Sequence, residues 1–340
     1  MRFPRREALV ALAALPAFAA GCTTRRFAAG TVRIAMVTDV GGLGDRSFND
    51  SAYAGLVRAR DRLHVETTVL QSRSAADYQI NMTVLANKEY DEVFAIGFLM
   101  ARDVEEVADR YPKRHFSIID AVVDEPNVTS VTFKEEEGSF LAGALAAQVT
   151  KTKTIAFIGG IDIPLLRKFE CGFAAGAREV DASVRTLVKY IGSFDDVASG
   201  KELASVLFDQ GADIIYAAAG KGGLGAIDQV KTRPGAYVIG VDSDQDGIAP
   251  GKILTSMVKR VDVGVFRVSE DAAARRARPK HLTLGLKERG VGLTNFAYTQ
   301  RVVTTARRAV LAELDDAIVS GRIVVPSTRE ELASFTRVTP

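Results

Sequence analysis

The chain has 340 residues, 47% of them hydrophobic and 25% charged, the composition of a globular protein of about two domains, which excludes a small stapled scaffold and wholesale disorder. The formal net charge is +2 and is accounted for by Arg2, Arg5 and Arg6 against Glu7, so the body from Cys22 onward is neutral. A nucleic-acid partner, which needs a clustered Lys/Arg surface to neutralise phosphates, is set aside.

The first segment, MRFPRREALVALAALPAFAAGC, has a basic start, an apolar stretch from Ala8 to Ala20 and small residues before Cys22, which is the layout of an export signal. The stretch is shorter than the roughly 20 residues that span a bilayer. Arg5 and Arg6 ahead of it resemble a twin-arginine signal. Ala19, Ala20, Gly21 and Cys22 resemble a bacterial lipobox, with ordinary cleavage after Ala17 to Ala19 as the alternative. The expectation is a signal peptide over 1–21, a lipidated Cys22 opening a linker over 22–31, and a membrane-anchored protein of the cell envelope. Cys171, the one other cysteine, reads as a buried small hydrophobe. His64, His115 and His281 lie far apart and outside any metal-ligand spacing, so no metal site is expected.

From Val32 onward, short β-branched runs alternate with stretches of helical period, the pattern of βαβ units around a parallel sheet. Strands are expected over 32–38, 65–71, 92–97, 115–120 and 128–133, and again over 154–160, 185–191, 212–220, 236–242 and 253–259. Apolar residues at spacings of three and four predict covering helices over 47–63, 74–88, 101–111, 139–149 and 165–180, and later over 261–277 and 304–321. A short apolar run lies near His281 to Leu286. Two series of similar length imply an α/β protein of two Rossmann-like lobes joined by tight crossings.

Ligands of open parallel sheets bind beyond the carboxyl ends of the strands. Those ends carry Asp39, Gly97 with Phe98, Asp120, Gly159 with Gly160, Gly220, Asp242 and Lys259 with Arg260. Gly220, Gly222 and Gly225 form a GXGXXG spacing, which alone is weak evidence for a dinucleotide and reads equally as a helix start approached closely by a ligand. Nucleophile motifs are absent, and Asp45 and Asp50 read as caps of the helix they precede. Glu135 to Glu137 read as favourable charge at a helix N-terminus.

The stretches IAMVTDVGGLGDRSFNDSAYAGL, FSIIDAVVDEPNVTSVTFKEEEGSFLAGALAA, GVDSDQ and LTSMVKRVDVGV resemble the basic membrane protein family of bacterial lipoproteins, over about residues 32–325. That resemblance implies a type I periplasmic-binding-protein fold closing on a ligand about a three-strand hinge, with no catalysis and no cofactor. It implies a purine nucleoside as ligand, delivered to an ABC permease and its ATPase, and a monomer as the working state. Lobes over 32–131 plus 260–295 and 132–259 plus 296–336 are expected.

By the same resemblance, Phe48 and Phe169 stack on the two faces of the base, Asn49 and Asp120 bind its polar edge, Asp242 and Lys259 bind ribose hydroxyls, and Gly220 approaches the sugar. Asp39 completes the set. Lys221 and Gly222 stand where the family has a glycine and a small hydroxyl residue. Without the resemblance, both Phe residues read as core and Lys259 as a solvated lysine. The competing functions are an exported NAD(P)-dependent oxidoreductase using the Gly220 turn and a ligand sensor of the same fold.

Overall fold

The computed structural model describes residues 30–338; Arg5, Arg6 and Cys22, and with them the export and lipidation expectations, lie outside the described residues. From Arg33 the chain alternates β1 (Arg33–Thr38), α1 (Phe48–Leu63), β2 (Glu66–Gln71), α2 (Ala76–Asn87), β3 (Glu92–Ile96), α3 (Ala101–Arg110), β4 (Phe116–Ile119) and β5 (Val128–Phe133). The pattern repeats through α4 (Glu135–Val149), β6 (Thr154–Gly159), α5 (Pro164–Val180), β7 (Arg185–Tyr190), α6 (Val197–Asp209), β8 (Ile214–Ala218), α7 (Gly223–Val230), β9 (Tyr237–Asp242) and β10 (Ile253–Lys259). It closes with α8 (Val261–Ala273), β11 (His281–Leu284), β12 (Val291–Leu293), α9 (Thr305–Val319) and α10 (Arg329–Ser334).

The strands form two six-stranded sheets, ordered β11-β5-β4-β3-β1-β2 and β12-β10-β9-β8-β6-β7. All neighbours are parallel except β12, which runs antiparallel to β10. The inner strands are buried along their length, as the near-continuous apolar runs require when helices cover both faces, whereas β2 and β7 are half-exposed edges. This is the two-lobed α/β fold expected from the sequence.

The chain passes between sheets after Phe133, after Lys259 and after Leu284. One boundary differs from the expectation: Val291–Leu293 belongs to the second sheet, because these residues pair with Lys259 to Met257 of β10. The return therefore lies before residue 291, not after 295. The helices follow the same exchange. The first-sheet helix α1 packs on α8, and α4 packs on α5 almost backbone to backbone.

The two sheet orders correspond strand for strand, so β4 and β9 occupy the same place in their sheets, as do β5 and β10. Both chains of strands reverse direction of progress at one point, between β1 and β3 and between β6 and β8, where loops leave in opposite directions and open a crevice. That arithmetic alone puts Asp39, Phe98, Gly160 and Gly220 at crevice mouths.

Candidate functional site

Asp120 follows β4 and Asp242 ends β9, so two carboxylates sit at equivalent strand ends of the two sheets. Both have left-handed backbone, with φ of 69° and 61°. Asp tolerates that region better than most residues, and such strain is held only where the surroundings over-determine it. Here the surroundings are hydrogen bonds between the lobes. Lys259 Nζ donates to Asp120 Oδ2 at 2.5 Å, and Ser47 Oγ donates to Asp242 Oδ2 at 2.6 Å. Ser243 Oγ also donates to the Ser47 carbonyl at 2.9 Å, and Gln245 Nε2 to the Arg46 carbonyl at 3.0 Å.

Ser47 is free for this task because another residue caps α1. Asp45 accepts the amides of Ser47, Asn49 and Asp50 at 2.8–3.1 Å, and Asp50 accepts those of Gly44 and Arg46. The capping role expected at this junction holds for Asp45, whereas Asp50, inside α1, ties down the loop that precedes the helix. This leaves Phe48 and Asn49 projecting from the first turn. The Asn49 amide donates to Asp39 Oδ1 at 2.9 Å and Asp45 Oδ2 at 3.2 Å. An amide wedged between two carboxylates must give them its NH2, so its carbonyl oxygen turns the other way. That oxygen is buried without a partner, and so is Asp120 Oδ1.

All eight sequence-designated residues, Asp39, Phe48, Asn49, Asp120, Phe169, Gly220, Asp242 and Lys259, line one cavity of about 610 Å³ including its mouth. Phe48 comes from α1 and Phe169 from α5, and their ring centroids lie 5.3 and 5.5 Å from the Lys259 ammonium. Phe98 and Phe194 also line the cavity and meet edge to face across the lobes, with centroids 6.2 Å apart. Phe194 was not legible as a site residue; the signal available was its position just beyond the seventh strand.

Gly220 has φ of 54°, and a Cβ there would sit 3.2 Å from the Phe194 carbonyl. Its neighbours in the glycine motif have packing duties. The Gly222 amide donates to the Phe194 carbonyl at 2.9 Å, and a Cβ on Gly225 would fall 2.2 Å from the Val197 carbonyl at the start of α6. The glycine spacing is thus spent on seating α7 against α6 and the 194 loop. Cys171 is fully buried, and burial pushes its thiol up to about 12, so it is an inert core residue as expected.

Burial dominates the electrostatics. It raises Asp120 and Asp242 to about 6 each, with Lys259 offsetting only part of the rise, and it also raises Asp39 and Asp45. The same burial would discharge Lys259, but the carboxylates of Asp120, Glu135 and Asp242 outweigh it and hold the ammonium charged well above its ordinary value. Lys259 is 1% exposed, so its reading as a solvated lysine is overturned, as is the core reading of Phe48, which is half-buried on the cavity wall.

The cavity brings together two unpartnered acceptors, one buried ammonium and rings from both lobes. The family model of the PnrA-like ABC transporter substrate-binding proteins matches residues 32–329. An ABC transporter nucleoside-binding protein, BmpA, of Lactococcus lactis is 35% identical, covering 94% of this chain and 97% of its own. A CD4+ T-cell-stimulating antigen of Listeria monocytogenes is also 35% identical, over 86% of this chain and 87% of its own. The crystal structure of an ABC transporter solute-binding protein from Aeropyrum pernix superposes with a TM-score of 0.81 at 29% identity, covering 89% of this chain and 96% of that one. Such proteins bind and deliver solutes and are not enzymes, which removes the oxidoreductase alternative. The chain belongs to the PnrA-like family of ABC transporter substrate-binding proteins.

Proposed function

We propose that this protein captures a purine nucleoside between its lobes and hands it to an ABC permease, working as a monomer held at the membrane by lipid on Cys22. The observation that carries the reading is the pair of buried, unpartnered acceptors, Asn49 Oδ1 and Asp120 Oδ1, in a cavity flanked by Phe48 and Phe169. An orphaned buried acceptor costs about 1–3 kcal/mol. The N–H groups on a purine edge would recover that cost, while the base faces stack on the rings for about 0.5–1.5 kcal/mol each. In this reading Asp242 and Lys259 bind the sugar hydroxyls as acceptor and donor, Gly220 gives the sugar room, and Asp39 orients Asn49. Closure follows because the ligand contacts both lobes and so favours the closed state by its differential affinity.

The test is a thermal-shift panel on protein unfolded and refolded to strip carried-over ligand, with purine and pyrimidine nucleosides, free bases, ribose and NAD. Saturation at 100 times the dissociation constant adds about 2.7 kcal/mol of stability, a shift of several degrees. A response confined to purine nucleosides is expected; a response to NAD alone, or to none of the nucleosides, sinks the reading.

The raised carboxylates make two opposite pH dependences. Nucleoside affinity is expected to fall as the pH drops through about 6, because protonated Asp120 and Asp242 lose acceptor strength. The ligand-free protein responds the other way. Its folded carboxylates take up protons before the unfolded ones do near 3.8, so their contribution to stability is fully present below 3.8 and is lost as the pH rises through about 6. Calorimetric titration and denaturation at pH 5 and 7.5 check both signs.

A further inference from the structure

Glu135 opens α4 one residue after the first crossing between the sheets. Charge at a helix N-terminus accounts for Glu136 and Glu137, which keep side-chain exposures of 13% and 12%. It does not explain Glu135, which is 0% exposed and lies between two ammoniums. Glu135 Oε1 is 3.0 Å from Lys259 Nζ and Oε2 is 2.6 Å from Lys168 Nζ. Lys168 also donates to the Phe133 carbonyl at 2.6 Å and sits 3.3 Å from Glu136. It immediately precedes Phe169 on α5. One carboxylate therefore ties together the crossing after β5, the end of β10 and the helix turn that carries a cavity ring.

We propose that Glu135 is a positioning residue of the capture site, fixing the Lys259 ammonium against Asp120 so that a donor is left turned to the ligand. An ammonium has three donors. Asp120 Oδ2 takes one, Glu135 flanks the head from the α4 side, and the rings of Phe48, Phe133 and Phe169 enclose it at 5.1–5.5 Å. Without Glu135 the head can pivot about its single bond to Asp120. The charges that face Asp120 are Lys259 from β10, Glu135 from α4 and Asp242 from β9. Those that face Glu135 are Lys259 and Lys168 with Glu136 beside it.

This arrangement predicts opposite effects from its two ends. Neutralising Glu135 removes a negative charge beside Asp120, so Asp120 ionises more readily. Removing Lys168 leaves Glu135 less compensated, so Asp120 ionises less readily. The inference takes its ligand from the nucleoside reading and can be tested apart from it.

The experiment uses the wild type, Glu135→Gln and Lys168→Met, with guanosine and adenosine titrated calorimetrically from pH 5 to 8. Glu135→Gln is expected to bind about tenfold more weakly at pH 7.5, roughly one lost hydrogen bond's worth, with the acid midpoint of binding displaced downward. Lys168→Met should displace that midpoint upward. Midpoints that coincide with the wild type in both folded variants overturn the proposal, since a merely structural role weakens binding without moving the midpoint. If the wild type binds neither nucleoside, the ligand reading fails and the ligand-free readout decides. Nitrogen-15 NMR of the Lys259 ammonium should then show hydrogen exchange about tenfold faster in Glu135→Gln, as expected when an ammonium loses a fixed partner, and an unchanged rate overturns the proposal.

Discussion

Lys259→Met is expected to abolish nucleoside capture and to destabilise the ligand-free protein by about 3–5 kcal/mol at pH 7.5, the usual consequence of removing one partner from a buried ionic group. Methionine matches the lysine stem in length, so the loss is electrostatic and not a matter of volume. Asp120 Oδ2 loses its donor while Oδ1 already has none, and Glu135 keeps only Lys168. Lys259 is also the largest influence lowering Asp120 and Asp242 against burial. Its removal drives both carboxylates toward their neutral forms, so the deficit should shrink on acidification toward pH 5. Denaturant unfolding at the two pH values measures this. The double variant Lys259→Met/Asp120→Asn should regain much of the stability and none of the binding, because it removes the stranded charge and also the ligand's partners. A single variant within about 1 kcal/mol of wild type would mean that the ammonium is not the centre of the cluster.

The same residue shows where sequence reading stops. All ten strands expected between residues 32 and 259 form, each within about two residues of the observed ends, because strands covered on both faces announce themselves by apolar runs. Strand-end position then selects Asp39, Asp120, Asp242 and Lys259, since topology alone delivers those ends to the crevice. Resemblance supplies Phe48, Asn49 and Phe169, whose helical positions are indistinguishable by pattern from core.

What pattern cannot supply is the partner of a buried charge. Lys259 meets Asp120 across 139 residues of sequence, and neither segment carries a local sign of the other. The rule for helix starts counts charge within one turn and says nothing of which way a crossing aims Glu135. The helix itself begins at Glu135 and not at 139, the first residue of its apolar repeat, because the residues between serve the crossing. VGL has too little length to declare a strand by pattern, and the antiparallel pairing of β12 with β10 is decided by tertiary contact.

Gly176→Val should be the most damaging substitution outside the cavity, and it acts on the same site from behind. A Cβ at Gly176 would stand 1.9 Å from the Phe140 carbonyl oxygen, and one at Gly143 would stand 1.9 Å from that of Phe173. No rotamer relieves a clash between a Cβ and a carbonyl of the facing helix, so α4 and α5 would have to separate. Overpacking of this kind costs about 3 kcal/mol or more, which for a chain of this size lowers the melting temperature by roughly 6 °C or more. Gly292→Ala is the matched control. Its Cβ meets nothing within 4 Å, and stability should stay within about 0.5 kcal/mol of wild type. Because α4 begins with Glu135 and α5 carries Lys168 and Phe169, parting the helices also pulls the Lys259 counter-charge away from the ring. The folded fraction of Gly176→Val should therefore bind nucleoside more weakly than wild type. Wild-type affinity in that fraction would show that the helix seam serves stability alone.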